Sequence, residues 1–292
     1  MDKINAEVFV AVANLGSNKK AADMLGYTQA GISYIINTME EQAGFQMFER
    51  EFGGMRLTSE GADLLPYMQR LLQEERMVGE QIDRINGLET GHIKLISFTT
   101  AAVCFLPDIL EGFREEYPGI EIELSPCEPP TQAIEKLVTG EADCAFLAAT
   151  ESDRVEIHKL REERNLVVVS ESHPLAKKKV VPLKELEKYP YLSSIEEDYP
   201  QLYEMLQAQG IKLNRTMTVN NDYGCFSMVS RNLGITIYTE SLVKNSMFPV
   251  IGIPLDKKLP IPVSLGFKSY KKLSVATKAF VDYVLDLNID KW

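Results

Sequence analysis

The sequence lacks the features of a membrane, secreted or metal-binding protein. Its aliphatic runs, such as Leu166–Val169, are far shorter than the roughly 18 apolar residues that a membrane-spanning helix needs. The start, Met1–Asn5, has no basic segment followed by an apolar stretch, so a secretion signal is not expected. The four cysteines and three histidines do not have zinc-ligand spacing. We therefore expect a cytoplasmic protein with reduced cysteines, no metal and no resident cofactor.

The sequence is also short of positive charge. Its formal net charge is −11, and residues 1–58 alone hold five lysines and arginines against seven acidic residues. A protein that binds nucleic acid uses lysine and arginine to neutralise phosphates. Bulk charge therefore argues against a nucleic-acid partner, and any case for one must rest on the pattern of residues.

The spacing of Ala22, Gly26 and Ile32 is that of a helix-turn-helix. The small residue lets two helices cross closely, the glycine turns the chain, and the aliphatic side chain packs the second helix on the first. Ser17 and Thr28 are expected to be the N-caps of these two helices. The outward face of the second helix, which enters the major groove in this geometry, then carries Thr28, Gln29, Ser33, Tyr34 and Asn37. The alternative is a plain three-helix bundle with a polar outer face.

Residues spread over this region resemble, together, the signature of LysR-type transcriptional regulators: Phe9, Val12, Gly16, Ser17, Ala21, Ala22, Leu25, Gln29, Ile32, Ser33, Ile36, Glu40, Gly44, Phe48, Arg50, Leu57, Thr58 and Gly61. The resemblance implies a winged helix-turn-helix DNA-binding domain over residues 1–58, with a hairpin near 52–57 as the wing. It places two sets of side chains at DNA, namely Thr28, Gln29, Ala30, Ser33 and Tyr34 over base edges and phosphates, and Arg50 and Arg56 near the backbone. Many family members have arginine where this chain has Tyr34, Asn37 and Gly53, so we expect weak binding to unrelated DNA.

From Ser59 to about Asn86 the sequence predicts one long helix with an apolar heptad seam that is broken only at Glu75: Gly61, Leu64, Met68, Leu71, Glu75, Val78, Ile82 and Ile85. Such an apolar seam requires a partner surface. We expect it to pair two chains into a homodimer, as the resemblance also implies, although packing on its own domain is the alternative. Gly87 and Glu89–Gly91 then indicate a hinge, so residues 59–90 are interpreted as a linker and dimerisation helix.

After Gly91, strand and helix patterns alternate. Strands are predicted near 92–98, 120–124, 143–148, 166–170, 216–219, 234–238 and 263–267, with helices near 102–117 and 131–139. Such alternation predicts parallel sheets covered by helices. We expect an effector domain over residues 91–292, with lobe I at about 91–162 and 266–292 and lobe II at about 163–265. The overall fold class is α/β behind an all-α winged helix-turn-helix.

Four segments resemble the LysR effector domain: Gly91–Leu95, Gly140–Asp143, His173–Ala176 and Leu233–Ile235. The resemblance implies a two-lobed fold similar to periplasmic binding proteins, with an effector in the cleft between the lobes. The carried-over cleft residues are Thr99, Thr100, Pro129, Thr131, Ala149, Ser193, Ser194, Asn221 and Asp222. Their hydroxyls suit a carboxylate or another anion at helix starts, but each is equally suited to be an N-cap that serves only the fold. Asp222 argues against a dianionic ligand.

Three cysteines are candidates for a redox role. Cys225 follows Asn221 and Asp222 near a helix start, where the helix dipole lowers the pKa of a thiol. Cys104 and Cys127 are expected near the same cleft. The favoured interpretation is that these are buried, unreactive thiols, and the alternative is a redox switch.

The function expected from these observations is a transcriptional regulator, with no enzyme activity, whose binding to double-stranded promoter DNA is modulated by an unidentified small-molecule effector. Dimers, tetramers by analogy with the family, and RNA polymerase are the expected partners, and a membrane is not. An enzyme is the first alternative, but the sequence has no G-x-S-x-G elbow, P-loop or G-x-G-x-x-G motif. The second alternative is a corepressor or scaffold that dimerises without reading DNA.

Overall fold

The computed structural model describes residues 3–51, 54–85, 90–127, 129–193, 200–219 and 221–287. Phe52 and Gly53 of the expected wing, the expected hinge residues 86–89, and Ser194 lie outside these ranges. The chain forms two compact units, Met1–Thr90 with Val138–Ala142 and Gly91–Leu137 with Asp143–Trp292. Within the described ranges, no helix is long and apolar enough to cross a membrane.

The first unit begins with three helices that are followed by a hairpin and a long helix. These elements are α1 (Lys3–Leu15), α2 (Asn18–Leu25), α3 (Gln29–Ala43), β1 (Phe48–Glu51), β2 (Gly54–Leu57) and α4 (Ser59–Ile85). The predicted caps are confirmed, because the Ser17 hydroxyl accepts a hydrogen bond from the Lys20 amide and the Thr28 hydroxyl accepts one from the Gly31 amide. Gly26 ends α2 in the left-handed conformation, which glycine adopts without strain.

The core of this unit forms where α1, α2 and α3 meet. Phe9, Val12, Ile32, Ile36 and Met39 are all buried there. Burying an aliphatic or aromatic side chain of this size contributes roughly 1.5–3 kcal/mol. These inward residues fix which face of α3 is left for solvent.

The hairpin β1–β2 is antiparallel, and backbone amides in it and just before it donate hydrogen bonds to the helices and to the turn after α1. One carboxylate oxygen of Glu40, near the end of α3, accepts hydrogen bonds from the amides of Met47 at 2.7 Å and Phe48 at 3.1 Å. The amide of Met55 on β2 donates to the carbonyl of Gly16 at 2.8 Å. The position of the hairpin is therefore set by α3 and by the turn after α1.

The burial of the apolar side chains of helix α4 changes along its length. Leu64 packs against the core of the first unit and Met68 is buried in it. Farther along, Leu71, Val78 and Ile82 are exposed. Only the first part of the predicted seam is therefore covered by its own domain.

The second unit contains nine strands and seven helices within the described residues. They are β3 (Gly91–Ser97), α5 (Thr99–Cys104), α6 (Leu106–Glu116), β4 (Ile120–Pro126), α7 (Pro130–Thr139), β5 (Cys144–Leu147), β6 (Glu156–Ser170), β7 (Pro190–Ser193), α8 (Pro200–Ala208), β8 (Asn214–Thr218), α9 (Asp222–Ser230), β9 (Thr236–Thr239), α10 (Glu240–Lys244), β10 (Val250–Pro254), β11 (Pro260–Phe267) and α11 (Val275–Asp286). Short 3-10 helices lie at Pro174–Lys177, Leu183–Lys188 and Tyr270–Lys272.

The main sheet has the strand order β10-β6-β11-β5-β3-β4, with β9 also paired to β6, and β7 pairs with β8. The sheet is mixed, so the prediction of parallel sheets is correct for only some of the strand pairs. Strand β3 is parallel to β4 and β5, and β7 is parallel to β8, but β6 and β11 are antiparallel to all their neighbours. The physical reason is connectivity: the chain passes from one lobe to the other along β6 and returns along β11, so these strands run in opposite directions.

Two element boundaries also differ from the prediction. The strand expected at 166–170 is the second half of β6, which is 15 residues long. The single helix expected at 102–117 is two helices, α5 and α6, which are separated at Phe105. Pro107 lies in the first turn of α6, where a missing amide hydrogen costs nothing because that amide would have no partner within the helix.

Three clusters of buried apolar side chains lie in the described part of this unit. One lies around β3, α6 and α11, with Leu95 and Phe280 buried. A second lies around the second half of β6 and α8, with Val167 and Leu202 buried. The third includes Phe226 of α9.

Candidate functional site

The first candidate site is the exposed face of α3. The structure leaves Thr28, Gln29, Ala30, Tyr34 and Asn37 exposed at the start and middle of this helix, while Ser33 is partly buried. Among the exposed large apolar side chains of the first unit, Tyr34 has the largest exposed fraction, 73%. An aromatic ring that is so exposed on a helix whose other face is packed is suited to contact a partner surface. The structure thus brings together all the α3 residues that the sequence analysis selected.

Two features at the start of α2 were missed by the sequence analysis. Asn18, its first residue, donates a hydrogen bond from its side-chain amide to the Ser33 hydroxyl at 3.1 Å. Lys19 and Lys20, which follow it, are exposed. No sequence signal pointed to these roles, because asparagine and lysine at a helix start are ordinary choices.

The two arginines expected at the DNA backbone lie on the hairpin, and both are exposed. In the strand register, Arg50 is opposite Met55 and Arg56 is opposite Glu49. Because side chains alternate between the faces of a strand and paired residues share a face, Arg50 and Arg56 lie on opposite faces of the hairpin.

The second candidate site lies at strand ends of the effector domain. Thr99 and Thr100 begin α5 directly after β3, and Pro129 and Thr131 lie at the start of α7. The hydroxyl of Thr100 is buried and lies 2.9 Å from that of Thr239, at the end of β9. Thr239 was not among the residues predicted from the sequence. Its contact with Thr100 joins the start of α5, which follows β3, to the end of β9, where α10 begins.

Two of the remaining cleft candidates, Ser193 and Asn221, are engaged in hydrogen bonds within the fold. The buried hydroxyl of Ser193 donates to the carbonyl of Met217 at 3.2 Å. The Asn221 side chain accepts from the Gly224 amide at 2.7 Å and caps α9. This is the N-cap interpretation that the sequence analysis left open. Ala149 is buried and offers no polar side-chain atom.

Asp222 is tied to the interior of lobe II rather than free. Its carboxylate accepts a hydrogen bond from the Tyr238 hydroxyl at 2.6 Å. The carboxylate keeps other acceptor positions, since an ionised carboxylate offers about four. A ligand beside it is favoured if it presents a donor and disfavoured if it presents a second negative charge.

The cysteines are buried or partly buried. Burial raises the pKa of Cys225 to about 11, and burial raises the pKa of Cys104 to about 11 as well. The lowering expected for Cys225 from its position in α9 is therefore outweighed by desolvation. At neutral pH these thiols are protonated and react slowly, because the thiolate is the nucleophile. Cys127 is also buried.

Comparison with known proteins agrees with this architecture. The family model described as "LysR substrate binding domain" matches residues 86–288, and the one described as "Bacterial regulatory helix-turn-helix protein, lysR family" matches residues 5–62. The HTH-type transcriptional regulator YvbU of Bacillus subtilis (strain 168) is 28% identical over 284 residues, which cover 96% of this chain and 97% of YvbU.

Solved structures show the same fold. The LysR family transcriptional regulator CbnR is 19% identical, covers 98% of each chain and has a TM-score of 0.74. Full-length CbnR in complex with its target DNA, also 19% identical, covers 98% of this chain and 99% of that one with a TM-score of 0.72. The effector-binding domain of QuiR in complex with shikimate is 22% identical, covers 70% of this chain and 99% of that one, and has a TM-score of 0.62.

The two family models together account for nearly the whole chain, and one of them alone matches well over half of it. The relatives are transcriptional regulators and not enzymes. The chain belongs to the LysR family of bacterial transcriptional regulators, with a DNA-binding helix-turn-helix domain followed by an effector-binding domain.

Proposed function

We propose that this regulator reads promoter DNA with the exposed face of α3, through Thr28, Gln29, Ala30, Ser33, Tyr34 and Asn37. The observation that carries the proposal is that the opposite face of α3, with Ile32, Ile36 and Met39, is buried in the core, so the orientation of the polar face is fixed. Arg50 and Arg56 are proposed as backbone contacts on different strands of the duplex, because they lie on opposite faces of the hairpin.

Replacing Gln29 and Ser33 together with alanine should strongly weaken sequence-specific binding and leave binding to unrelated DNA nearly unchanged. Glutamine makes bidentate contacts to adenine, and one good base contact is worth about 1–3 kcal/mol of discrimination. We expect the ratio of specific to non-specific affinity to fall by about 100-fold. The measurement is fluorescence anisotropy with a duplex selected by the wild-type protein and with a scrambled duplex.

Gln42→Ala is the matched control, because Gln42 is an exposed glutamine near the other end of α3. It should bind both duplexes as the wild type does. If the double variant keeps the wild-type ratio, α3 is not the reading helix.

We also propose that a small polar molecule with at most one carboxylate binds between the lobes. The proposed site comprises Thr99, Thr100, Pro129, Thr131, Ala149, Ser193, Ser194, Asn221 and Asp222. The carboxylate of Asp222 disfavours a dianion, and this set holds no cationic side chain. The QuiR structure supports this class of ligand, because the shikimate bound to QuiR is a hydroxylated monocarboxylate.

A thermal-shift screen of the full chain tests this site. At 100 times its Kd an effector stabilises the folded state by about 2.7 kcal/mol. We expect hydroxylated monocarboxylates, with shikimate as the reference compound, to raise Tm more than dicarboxylates of similar size do. Thr131→Ala should reduce the shift without changing the Tm of the free protein, because Thr131 is exposed.

Hydrogen peroxide should leave Tm unchanged, since the thiols of Cys104 and Cys225 are protonated at neutral pH. A shift on oxidation that a reductant reverses would instead support a redox switch. A preference for dicarboxylates would contradict the proposed ligand class.

The assembly is proposed to be a homodimer that pairs through α4, with tetramers by analogy. The exposed Leu71, Val78 and Ile82 support the pairing. We further propose a cytoplasmic protein that acts with RNA polymerase. The proposed domains are 1–58 for DNA binding, 59–90 for the linker and 91–292 for the effector domain, with lobe I at about 91–162 and 266–292 and lobe II at about 163–265.

A further inference from the structure

Asn18 is an unusual residue to bury at the corner of two helices. It is the first residue of α2, its exposure is 8%, and its side-chain amide donates to the Ser33 hydroxyl on α3 at 3.1 Å. Its side-chain oxygen, Oδ1, is also buried and has no hydrogen-bond partner among the residues that the structure describes. Asn18 therefore satisfies only part of its hydrogen-bonding capacity.

Fold stability does not explain this choice of residue. A buried polar atom without a partner is destabilising, and an apolar side chain of similar size avoids that penalty. The neighbouring buried positions in α2, Ala21 and Ala22, are apolar, as expected for a helix crossing. A polar residue that weakens the packing at such a corner indicates a role outside the fold.

The contact with Ser33 has a directional consequence. A serine hydroxyl has one hydrogen and two acceptor lone pairs. The Asn18 amide occupies one lone pair, so the hydroxyl hydrogen is left to donate elsewhere. Ser33 is partly exposed and lies one helical turn after Gln29, on the same side of α3.

We propose that Asn18 is a positioning residue that holds Ser33 as a hydrogen-bond donor toward an acceptor on a base edge in the major groove. The acceptors of this kind are purine N7, guanine O6 and thymine O4. The pair then sets the base preference at one base pair near the one that Gln29 contacts. This inference rests on the proposed DNA-reading role of α3.

The test is selection of binding sites from a random duplex library with the full-length protein and four variants. Asn18→Leu, Ser33→Ala and the double variant should each lose about tenfold in preference at the same single base pair and keep the rest of the motif. The double variant should lose no more than either single one, because the two residues act as a unit. Ser33→Thr, which keeps a hydroxyl, should retain the preference.

Thermal melting distinguishes a positioning role of Asn18 from a purely structural one. Asn18→Leu should melt at or above the wild-type Tm, since it removes the unpartnered oxygen. A merely structural Asn18 gives the reverse pattern, a lower Tm with an unchanged motif, and that result would overturn the proposal.

Three other outcomes would also overturn it. Equal loss of affinity for all sequences in Asn18→Leu and Ser33→Ala would show that Ser33 donates to a phosphate oxygen, which is an acceptor of the same kind without sequence information. A wild-type preference for a base-edge amino group at that position would show that Ser33 accepts rather than donates. If the wild-type protein selects no motif at all, the DNA-reading role of α3 fails, and this inference fails with it.

Discussion

Replacing Glu40 with alanine is expected to destabilise the DNA-binding domain by about 3–6 kcal/mol, because two hydrogen bonds to a charged group are lost at about 1.5–3 kcal/mol each. One oxygen of this carboxylate accepts from both the Met47 and Phe48 amides. Met47 and Phe48 are themselves buried, so the two amides are left without a partner in the variant. Since whole domains are stable by only about 5–15 kcal/mol, a large share of the stability is removed.

Thermal melting of the full chain, followed by circular dichroism, measures this effect, and DNA binding should be lost at a temperature where the wild type still binds. Glu41→Ala is the matched control, since it makes the same change of charge at an exposed neighbouring position. Glu40→Gln should fall between the two, because it keeps an uncharged acceptor. Equal melting of Glu40→Ala and Glu41→Ala would contradict the proposed anchoring of the hairpin.

Replacing Gly54 with alanine is expected to have a comparable effect for a steric reason. A Cβ atom at this position would lie 2.2 Å from the Gly16 carbonyl oxygen, and Gly54 has φ +137. Both the backbone strain and the overlap must be relieved by moving β2 away from the turn after α1. We expect a loss of about 2–6 kcal/mol, the sum of a strained conformation and an overpacked contact at about 1–3 kcal/mol each.

Variants at two other glycines separate the effect of backbone strain from the effect of steric overlap. Gly26→Ala should lose only about 1–2 kcal/mol, because φ is +74 but no atom lies within 4 Å of the new Cβ. Gly79→Ala should gain about 1 kcal/mol, since Gly79 is an exposed position inside α4 with nothing within 4 Å. A Gly54→Ala variant that melts like Gly26→Ala would show that the hairpin does not need its close approach to Gly16.

The parts of the fold that sequence predicted are those that local chemistry determines. Ser17, Thr28 and Gly26 form caps and turns within a few residues of themselves, so their roles follow from residue type and spacing. The family resemblance and the two-lobed fold were also confirmed. They could be predicted because many short-range preferences along the chain agree with one another.

Strand direction was not predictable in this way. Apolar residues at 166–170 and 263–267 identify strands, but whether a strand is parallel or antiparallel depends on where the chain travels between them. The same limit applies to Asn18 and to Thr239, because each acts through a partner that is distant in sequence. The roles of the cleft candidates, including the cap formed by Asn221, also depend on such partners.

The pairing of β6 with β11 restricts how the effector domain moves. These strands are hydrogen-bonded to each other along Glu156–Arg164 and Pro260–Phe267, with a register irregularity between Val263 and Ser264. Because sliding one strand along the other would break the hydrogen bonds between them, we expect this connection to bend and twist rather than to slide. A bulge bends a strand and increases its local twist, so we expect the two strands to bend most easily at this irregularity. We therefore expect any relative motion of the two lobes to be a rotation about β6 and β11 rather than a translation along them.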